Sequence, residues 1–513
     1  MQAKNIGIIG AGISGLATAK VFKELGYEVT VFEKAGSIGG VWERSRTYIK
    51  LSTQTTKNEY AFSDYPMPAS FPEWPTGAHM SEYLEGYAAH FDIECHIRFN
   101  IEVMHMEQSG NTWAIWIKDI HSTEITQEHF DFVVVCTGTF HEKYVPAFPG
   151  RELFEENGGQ VLHSSQVTHE KMLAGKRVAV VGFAKSATDI ATAAADTSES
   201  CTLIYRKAQW KVPRFFGNKI NMKYLLFSRF SEAFFLPYRK TVFQRLLHSI
   251  GRPIVWMQWK GIEMLLKKQF KLKQCGMLPT HGIETQISCS LGVAPEGFYE
   301  KVLSKKINAI NNQIERFTTT GVTLQNGETV PADLVVFGTG FSQSLPFIGK
   351  GVKEILCDEN GQFRLYRNII NPKVPALAFV GFNSSLFSTL TAEIAANWLA
   401  AYVEGNIQLP SQDEVDKEIA LINTWKKNVR PIAAEFSGLC VAPFNFQHLD
   451  QLVTDMGLRT TASRNPVYEF FKPINPRDYH SILRKDKKHS AVGGRRVVNG
   501  TKSGEKAKAA ELV

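Results

Sequence analysis

KNIGIIGAGISGLATAKVFKELGYEVTVFEK, Lys4 to Lys34, decides the fold. An apolar strand runs into Gly10-Ala11-Gly12-Ile13-Ser14-Gly15, a helix leaves with Leu16, Ala19, Val21 and Leu25 spaced for burial, and a second strand ends at Glu33. This is G-x-G-x-x-G in the context it requires. The first glycine makes the tight turn, the second lets backbone approach a pyrophosphate, and the third lets helix pack on strand, so that the helix start faces the phosphates. Glu33 stands roughly 20 residues after the last glycine, where a carboxylate accepts hydrogen bonds from a ribose 2′-hydroxyl and repels a 2′-phosphate. The unit is therefore expected to hold FAD or NAD rather than NADP, through Gly10, Gly12, Ser14, Gly15 and Glu33, with Lys34 beside them.

A similar unit returns at GKRVAVVGFAKSATDIATAAADTSESCTLIYRK, Gly175 to Lys207. Gly182 keeps the first position, but Ala184 replaces the middle glycine and Ala187 the last. Alanine is allowed at the last position, which serves helix packing, whereas Ala184 adds a methyl where backbone should approach pyrophosphate. Lys185, a cation, and Ser186, a hydroxyl at the helix start, are positioned to offset that loosening. The second strand of this unit ends in Arg206 and Lys207 instead of an acid. Guanidinium pairs well with phosphate, so the exchange reads as NADP over NAD, the alternative being a solvated basic strand end. An acidic-ended and a basic-ended unit in one chain imply FAD and NADPH side by side.

Two further apolar strands, DFVVVCTGTF and ADLVVFGTGF, end in matching turns at Thr137-Gly138 and Gly338-Thr339-Gly340, and each is expected to close the sheet of one lobe. The expected architecture is α/β, with two Rossmann-like dinucleotide-binding domains, the second inserted in the first. The FAD-binding domain covers 1–165 and resumes over 331–445, and the NADPH-binding domain covers 166–330. A C-terminal helical segment follows over 446–484, and a basic, polar tail over 485–513 has a disordered composition. Within the NADPH-binding domain, residues 218–275 alternate apolar and aromatic residues with many cations and read as inserted basic amphipathic helices. They suit a cover over a pocket first, and peripheral contact with a membrane surface or another subunit second.

Composition narrows the class. Over 513 residues, 44% are hydrophobic and 21% charged, with a net charge of +8, which is ordinary for a globular chain and indicates no nucleic-acid partner. The seven cysteines, Cys95, Cys136, Cys201, Cys275, Cys289, Cys357 and Cys440, are scattered with no C-x-x-C spacing, arguing against a metal site, a redox pair and a secreted disulfide framework. A strand begins within a few residues of Met1 and leaves no room for a signal peptide, so a cytoplasmic setting is expected.

GSIGGVW (Gly36 to Trp42), FSDYP (Phe62 to Pro66), FPG (Phe148 to Gly150), Gly159 with His163, PTHGIETQISC (Pro279 to Cys289), NSSLFSTLTAEIAANW (Asn383 to Trp398) and FNFQHLDQLVTDMGL (Phe444 to Leu458) follow in an order that resembles the flavin-containing monooxygenases. Among them the chain looks most like the plant-type members that hydroxylate amine nitrogen. Trp210 and Pro213 follow Arg206 as in such relatives. The resemblance implies that NADPH reduces FAD and that the reduced flavin adds O2 to give a C4a-hydroperoxide, whose distal oxygen passes to a soft nucleophile, with NADP kept in place as a shield. Amine N-hydroxylation is expected first and thioether S-oxygenation next. Baeyer-Villiger insertion beside a ketone and a flavin-dependent NADPH reductase or oxidase are the alternatives. The protein's part is positioning and exclusion of water, with no metal.

The same resemblance places Gly40, Val41 and Trp42 against the flavin, and puts Gln54 where many members carry an Asn whose amide contacts the flavin's oxygen-bearing side. A backbone-satisfying amide is the other reading of Gln54. Glu393 is a flavin-side contact or a helix-surface acid. The family fingerprint F-x-G-x-x-x-H-x-x-x-[FY] survives only at Gly159 and His163, because Asn157 and Val167 occupy its aromatic positions, and His163 reads as a structural link between the lobes.

Overall fold

The computed structural model describes residues 3–286, 291–359, 361–383, 385–429, 445–487 and 496–497. The first lobe opens with β1 (Asn5–Ile9), α1 (Ile13–Glu24) and β2 (Glu28–Phe32), then adds β3 (Ile97–Arg98) and β4 (Phe132–Val135). The chain crosses through β5 (Glu142–Lys143) to β6 (Gln160–His163), β7 (Arg177–Val181), α2 (Lys185–Thr197), β8 (Ser200–Tyr205) and β9 (Lys211–Val212). The insert contributes α3 (Val242–Leu247) and α4 (Arg252–Gln269), after which come β10 (Gly292–Val293), β11 (Asn308–Asn311) and β12 (Leu334–Phe337). β13 (Phe341–Ser342) leads back to β14 (Leu377–Phe379) and α5 (Ser388–Val403), followed by α6 (Gln412–Val429) and α7 (Asn445–Asp455).

Two five-stranded parallel sheets result, in the orders β14-β4-β1-β2-β3 and β11-β8-β7-β12-β6. They repeat one plan. Ile8 on β1 lies between Val31 and Val134, and Val180 on β7 lies between Leu203 and Val336. Strands covered on both faces are continuously apolar, which is why Val133, Val134 and Val135 are all fully buried. The expected doubly lobed α/β fold is what forms.

The sheets place two chain crossings differently from the expected segments. β6 falls inside 1–165 and β12 falls after 331, yet both lie in the second sheet. A parallel sheet whose T-G strand is central needs a neighbour on each side of it, and β6 fills that place. The chain thus enters the second sheet by Gln160 and leaves it after Phe337.

The insert is stitched to the C-terminal helices. Arg229 pairs with Asp450, Glu232 accepts the backbone N–H groups of Phe446 and Gln447 at the start of α7, both at 2.9 Å, and the Trp425 indole donates to Leu236 O. α4 buries Trp259, Glu263 and Leu266, while Val242, Phe243, Leu246, Ile254, Trp256, Met257 and Met264 form an exposed apolar row on α3 and α4. No helix among the described residues is long and apolar enough to cross a membrane. Cys95, Cys136, Cys201, Cys275 and Cys357 are free thiols. Cys289, Cys440 and the tail from residue 488, apart from 496–497, lie outside the described residues.

Candidate active site

At the first turn each glycine answers a steric demand. Gly10 has φ +104°. A Cβ on Gly15 would lie 1.8 Å from the carbonyl oxygen of Gly10, so the helix rests directly on the turn. A Cβ on Gly12 would meet Gly40 Cα at 3.4 Å, and one on Gly40 would meet Gly12 Cα at 3.1 Å. Two backbones therefore run close together in front of α1, whose Gly12 N-cap gives it no side-chain cap. Its first N–H groups are left for an anion.

The groups around this turn fit a dinucleotide. Glu33 is buried; its Oε2 accepts from Ala11 N–H at 2.7 Å and its Oε1 from Ala35 N–H at 2.8 Å. Burial pushes its carboxyl above the usual range, and those two N–H groups oppose the shift. Each oxygen keeps a lone pair for a ribose hydroxyl. The Thr137 hydroxyl, after β4, is buried without a partner among the described residues, and Gly138 follows it at φ +68°. Trp42 is buried edge-on against Tyr60, and Val41 is exposed. Lys34 stands apart, since its ammonium is paired with Glu102 at 2.6 Å on an exposed rim. Ser14 is pressed by a residue the sequence reading passed over: a Cβ on Gly381 would sit 2.2 Å from Ser14 Oγ. The available signal was a glycine just beyond a strand of the same sheet.

The second turn repeats the first with one exchange. Gly182 has φ +124°, and a Cβ there would lie 2.5 Å from Gly338 O. Ala187 is fully buried, and a Cβ on Gly338 would lie 2.5 Å from the Ala187 methyl. In the first lobe the corresponding pair is Gly15 and Cys136. The small residue has moved from the helix to the T-G strand, which is why alanine fits where the motif asks for glycine.

Ala184 caps α2 with an ordinary φ of −69° and no side-chain bond, so its alanine carries no backbone strain. Ala184→Gly is expected to keep or tighten NADPH binding in a fluorescence titration, because only a methyl facing the phosphate position is removed. A large loss of affinity would contradict this.

Lys185 differs from its expected role as a free phosphate cation: it is ion-paired with Asp189 one turn along its own helix, and Tyr48 donates to the same carboxylate at 2.9 Å. A buried acid on the helix demands that charge. Ser186 is half-buried with no hydrogen bond from its hydroxyl among the described residues. Arg206 and Lys207 are exposed just past β8. Thr339 donates to Tyr144 O, and Gly340 O accepts from Tyr144 N–H at 3.1 Å and from His163 at 2.9 Å. The Thr339 hydroxyl is thus spent where that of Thr137 is open.

Between the lobes, β5 and β13 pair antiparallel, and His141 bridges the first T-G turn and the segment after β13, from Gly138 O at 3.1 Å to Ser344 O at 2.6 Å. The sequence reading gave the linking role to His163. That ring is buried and engaged at both nitrogens, with Ser165 and Gly340, and burial lowers its pKa, but its partners flank the second sheet. Gln54 Oε1 accepts from Val293 N–H at 3.1 Å, so the amide satisfies backbone of the second lobe. Glu393 is buried on α5 and accepts Ser63 N–H at 2.8 Å and the Ser63 hydroxyl at 2.5 Å. Burial and the nearby Asp64 push its carboxyl up to about 7. It pins the FSDYP segment and is not a surface acid.

Comparison with known proteins places these sites in context. The family model described as flavin-binding monooxygenase-like matches residues 3–457. A probable flavin-containing monooxygenase 1 of Arabidopsis thaliana is 30% identical, over 93% of this chain and 96% of that protein. Dimethylaniline monooxygenase [N-oxide-forming] 2 of Rattus norvegicus is 26% identical, over 94% of this chain and 89% of that protein. Among solved structures, cyclohexanone monooxygenase from Rhodococcus sp. Phi1 bound to NADP+ superposes with a TM-score of 0.64 at 20% identity, over 95% of this chain and 98% of that one.

Proposed function

Since the chain belongs to the flavin-binding monooxygenase-like family and is a monooxygenase that uses FAD and NADPH, we propose that it oxygenates a soft nucleophilic heteroatom, an amine nitrogen first and a thioether sulfur second. The observation that carries this reading is the pairing of two uncapped helix starts in one chain, with a buried carboxylate beyond the first and exposed cations beyond the second. Gly10, Gly12, Ser14, Gly15, Glu33, Gly40, Val41, Trp42, Thr137 and Gly138 would hold FAD. Gly182, Ala184, Ser186, Ala187, Arg206, Lys207 and the Gly338–Gly340 turn would hold NADPH. The bound cofactors supply reducing equivalents and activated oxygen. The protein aligns them, excludes water and presents the substrate.

Oxygen transfer to nitrogen or sulfur requires no protein base, whereas insertion beside a ketone is helped by one. His141 and His163 are both committed to backbone carbonyls, which favours the heteroatom reaction. The relative named for N-oxide formation supports nitrogen over sulfur. The exposed apolar row of the insert supports peripheral membrane contact, and the free thiols suit a reducing, cytoplasmic setting. Mass spectrometry of products from matched amines, thioethers and ketones, with NADPH and O2, tests the reading; product from the ketone alone would overturn it.

Gln54 belongs to the same function as the amide that holds the two lobes in register. Gln54→Ala leaves Val293 N–H unpaired and is expected to raise, several-fold, the hydrogen peroxide released per NADPH oxidised. Unchanged leakage would remove Gln54 from the machinery.

A further inference from the structure

Lys211, on β9, is 2% exposed, and its ammonium gives no hydrogen bond to any described residue. It lies 5.3 Å from the ring centroid of Phe183, the residue between Gly182 and Ala184. A Cβ on Gly292 would be 3.7 Å from Lys211 Nζ, 3.6 Å from Lys185 Cβ and 3.6 Å from Gln54 Oε1, so these side chains converge on one spot beside the second turn.

The charges there do not balance. Asp189 and Lys185 reach Lys211 from α2; Tyr48 and the uncharged Gln54 reach the spot from the first lobe; β10 brings no charge. Asp189 is already shared by Lys185 and by Tyr48, whose phenol burial and that carboxylate keep neutral. Two lysines thus face one carboxylate, beside the positive end of α2. Burial, reinforced by Lys185 and opposed by Asp189, pushes the Lys211 ammonium down to about 7. A buried cation without a partner is costly until an anion arrives.

We propose that Lys211 is a buried anchor for the phosphates of NADPH at the second glycine turn, taking a proton from solvent onto its amine as the dinucleotide's negative charge arrives. This rests on the assignment of NADPH to that turn. Binding raises the pKa of the group, so affinity is full where Lys211 is already protonated and is lost as pH rises through its free value.

Calorimetric titration of the FAD-loaded enzyme with NADP+, in buffers of different ionisation enthalpy, reads the proton directly. Uptake approaching one proton is expected near pH 8, with the Kd weakening by up to about tenfold per unit between about pH 7 and 9. Lys211→Met is expected to abolish the uptake and flatten the slope, and Lys211→Arg to bind tightly with a flat profile. Retained flavin shows that each variant is folded; if Lys211→Met fails to fold, the slope of Lys211→Arg against that of the wild type decides. Wild-type uptake persisting in either variant overturns the proposal. Tight binding to wild type without Lys211-dependent uptake sinks this proposal alone, and no binding of NADP+ sinks the NADPH assignment with it.

Discussion

Gly15→Ala is expected to strip the enzyme of FAD. The added methyl would sit 1.8 Å from Gly10 O and 2.9 Å from Gly10 C, well inside van der Waals contact, and neither atom belongs to a side chain that could turn away. Relief requires α1 to move off the turn, carrying its uncapped N–H groups out of reach of the pyrophosphate and disturbing the approach of Gly12 to Gly40. Flavin released per chain on denaturation should fall by more than about tenfold, a loss of at least ~1.4 kcal/mol in binding. Circular dichroism should still show the second lobe folded. Stoichiometric flavin in this variant would mean that the close contact is not what positions the cofactor.

Arg367→Met is expected to be the most destabilising substitution away from the glycine turns. Arg367 is buried, holds Asp455 through two bonds at 2.6 and 3.0 Å, and also pairs with Glu418. Asp455 accepts the Trp398 indole at 3.0 Å, and Glu418 accepts Arg239 at 2.9 Å. The cluster joins α5, α6 and α7, the helices that also carry the insert. His448, pushed down to about 3 by burial, Arg367 and Lys426, stays neutral and offers no replacement charge. Removing the guanidinium leaves two buried carboxylates under-compensated, which costs about 3–5 kcal/mol, read from the urea midpoint. A loss below about 1 kcal/mol would show that the pairs are dispensable.

The chemistry of the glycine turns was legible because the constraint there is local. Strand, glycine and helix follow one another, and the acid or base at the next strand end is only one helix away. The exchange at Ala187 was half legible. The sequence allows alanine at that position, but the reason is Gly338, which stands about 150 residues later on a strand that only the sheet brings alongside.

Residues whose meaning depends on a distant partner were read less well. Glu393 looks like any helix acid until Ser63 appears against it, and Lys34 like part of the turn until Glu102 draws it outward, whereas the partner of Lys185 stands only four residues on, at the spacing that pairs side chains along a helix. His141, Gly381 and Lys211 carry no motif. Their positions follow from how the chain crosses between lobes, which no periodicity records.

Among the described residues, the segment from Tyr48 to Gln54 meets the second lobe through four side-chain contacts: the Tyr48 hydroxyl donates to Asp189, Arg214 donates to the Ser52 hydroxyl, Gln54 accepts from Val293 N–H, and Lys50 pairs with Glu170. The β5–β13 ribbon and His141 hold the crossing itself. The first set joins the facing edges of the lobes, and the second ties together the two strands by which the chain crosses between them. Each of these hydrogen bonds is worth about 1 kcal/mol, and they add to a buried apolar cluster that runs through both lobes, from Ile8, Leu16 and Ile49 to Val180, Ala187 and Ile190. Tyr48 and Gln54 meet the second lobe beside its glycine turn, against Asp189 of α2 and against Gly292 and Val293, so side chains of the first lobe form part of the site proposed for NADPH.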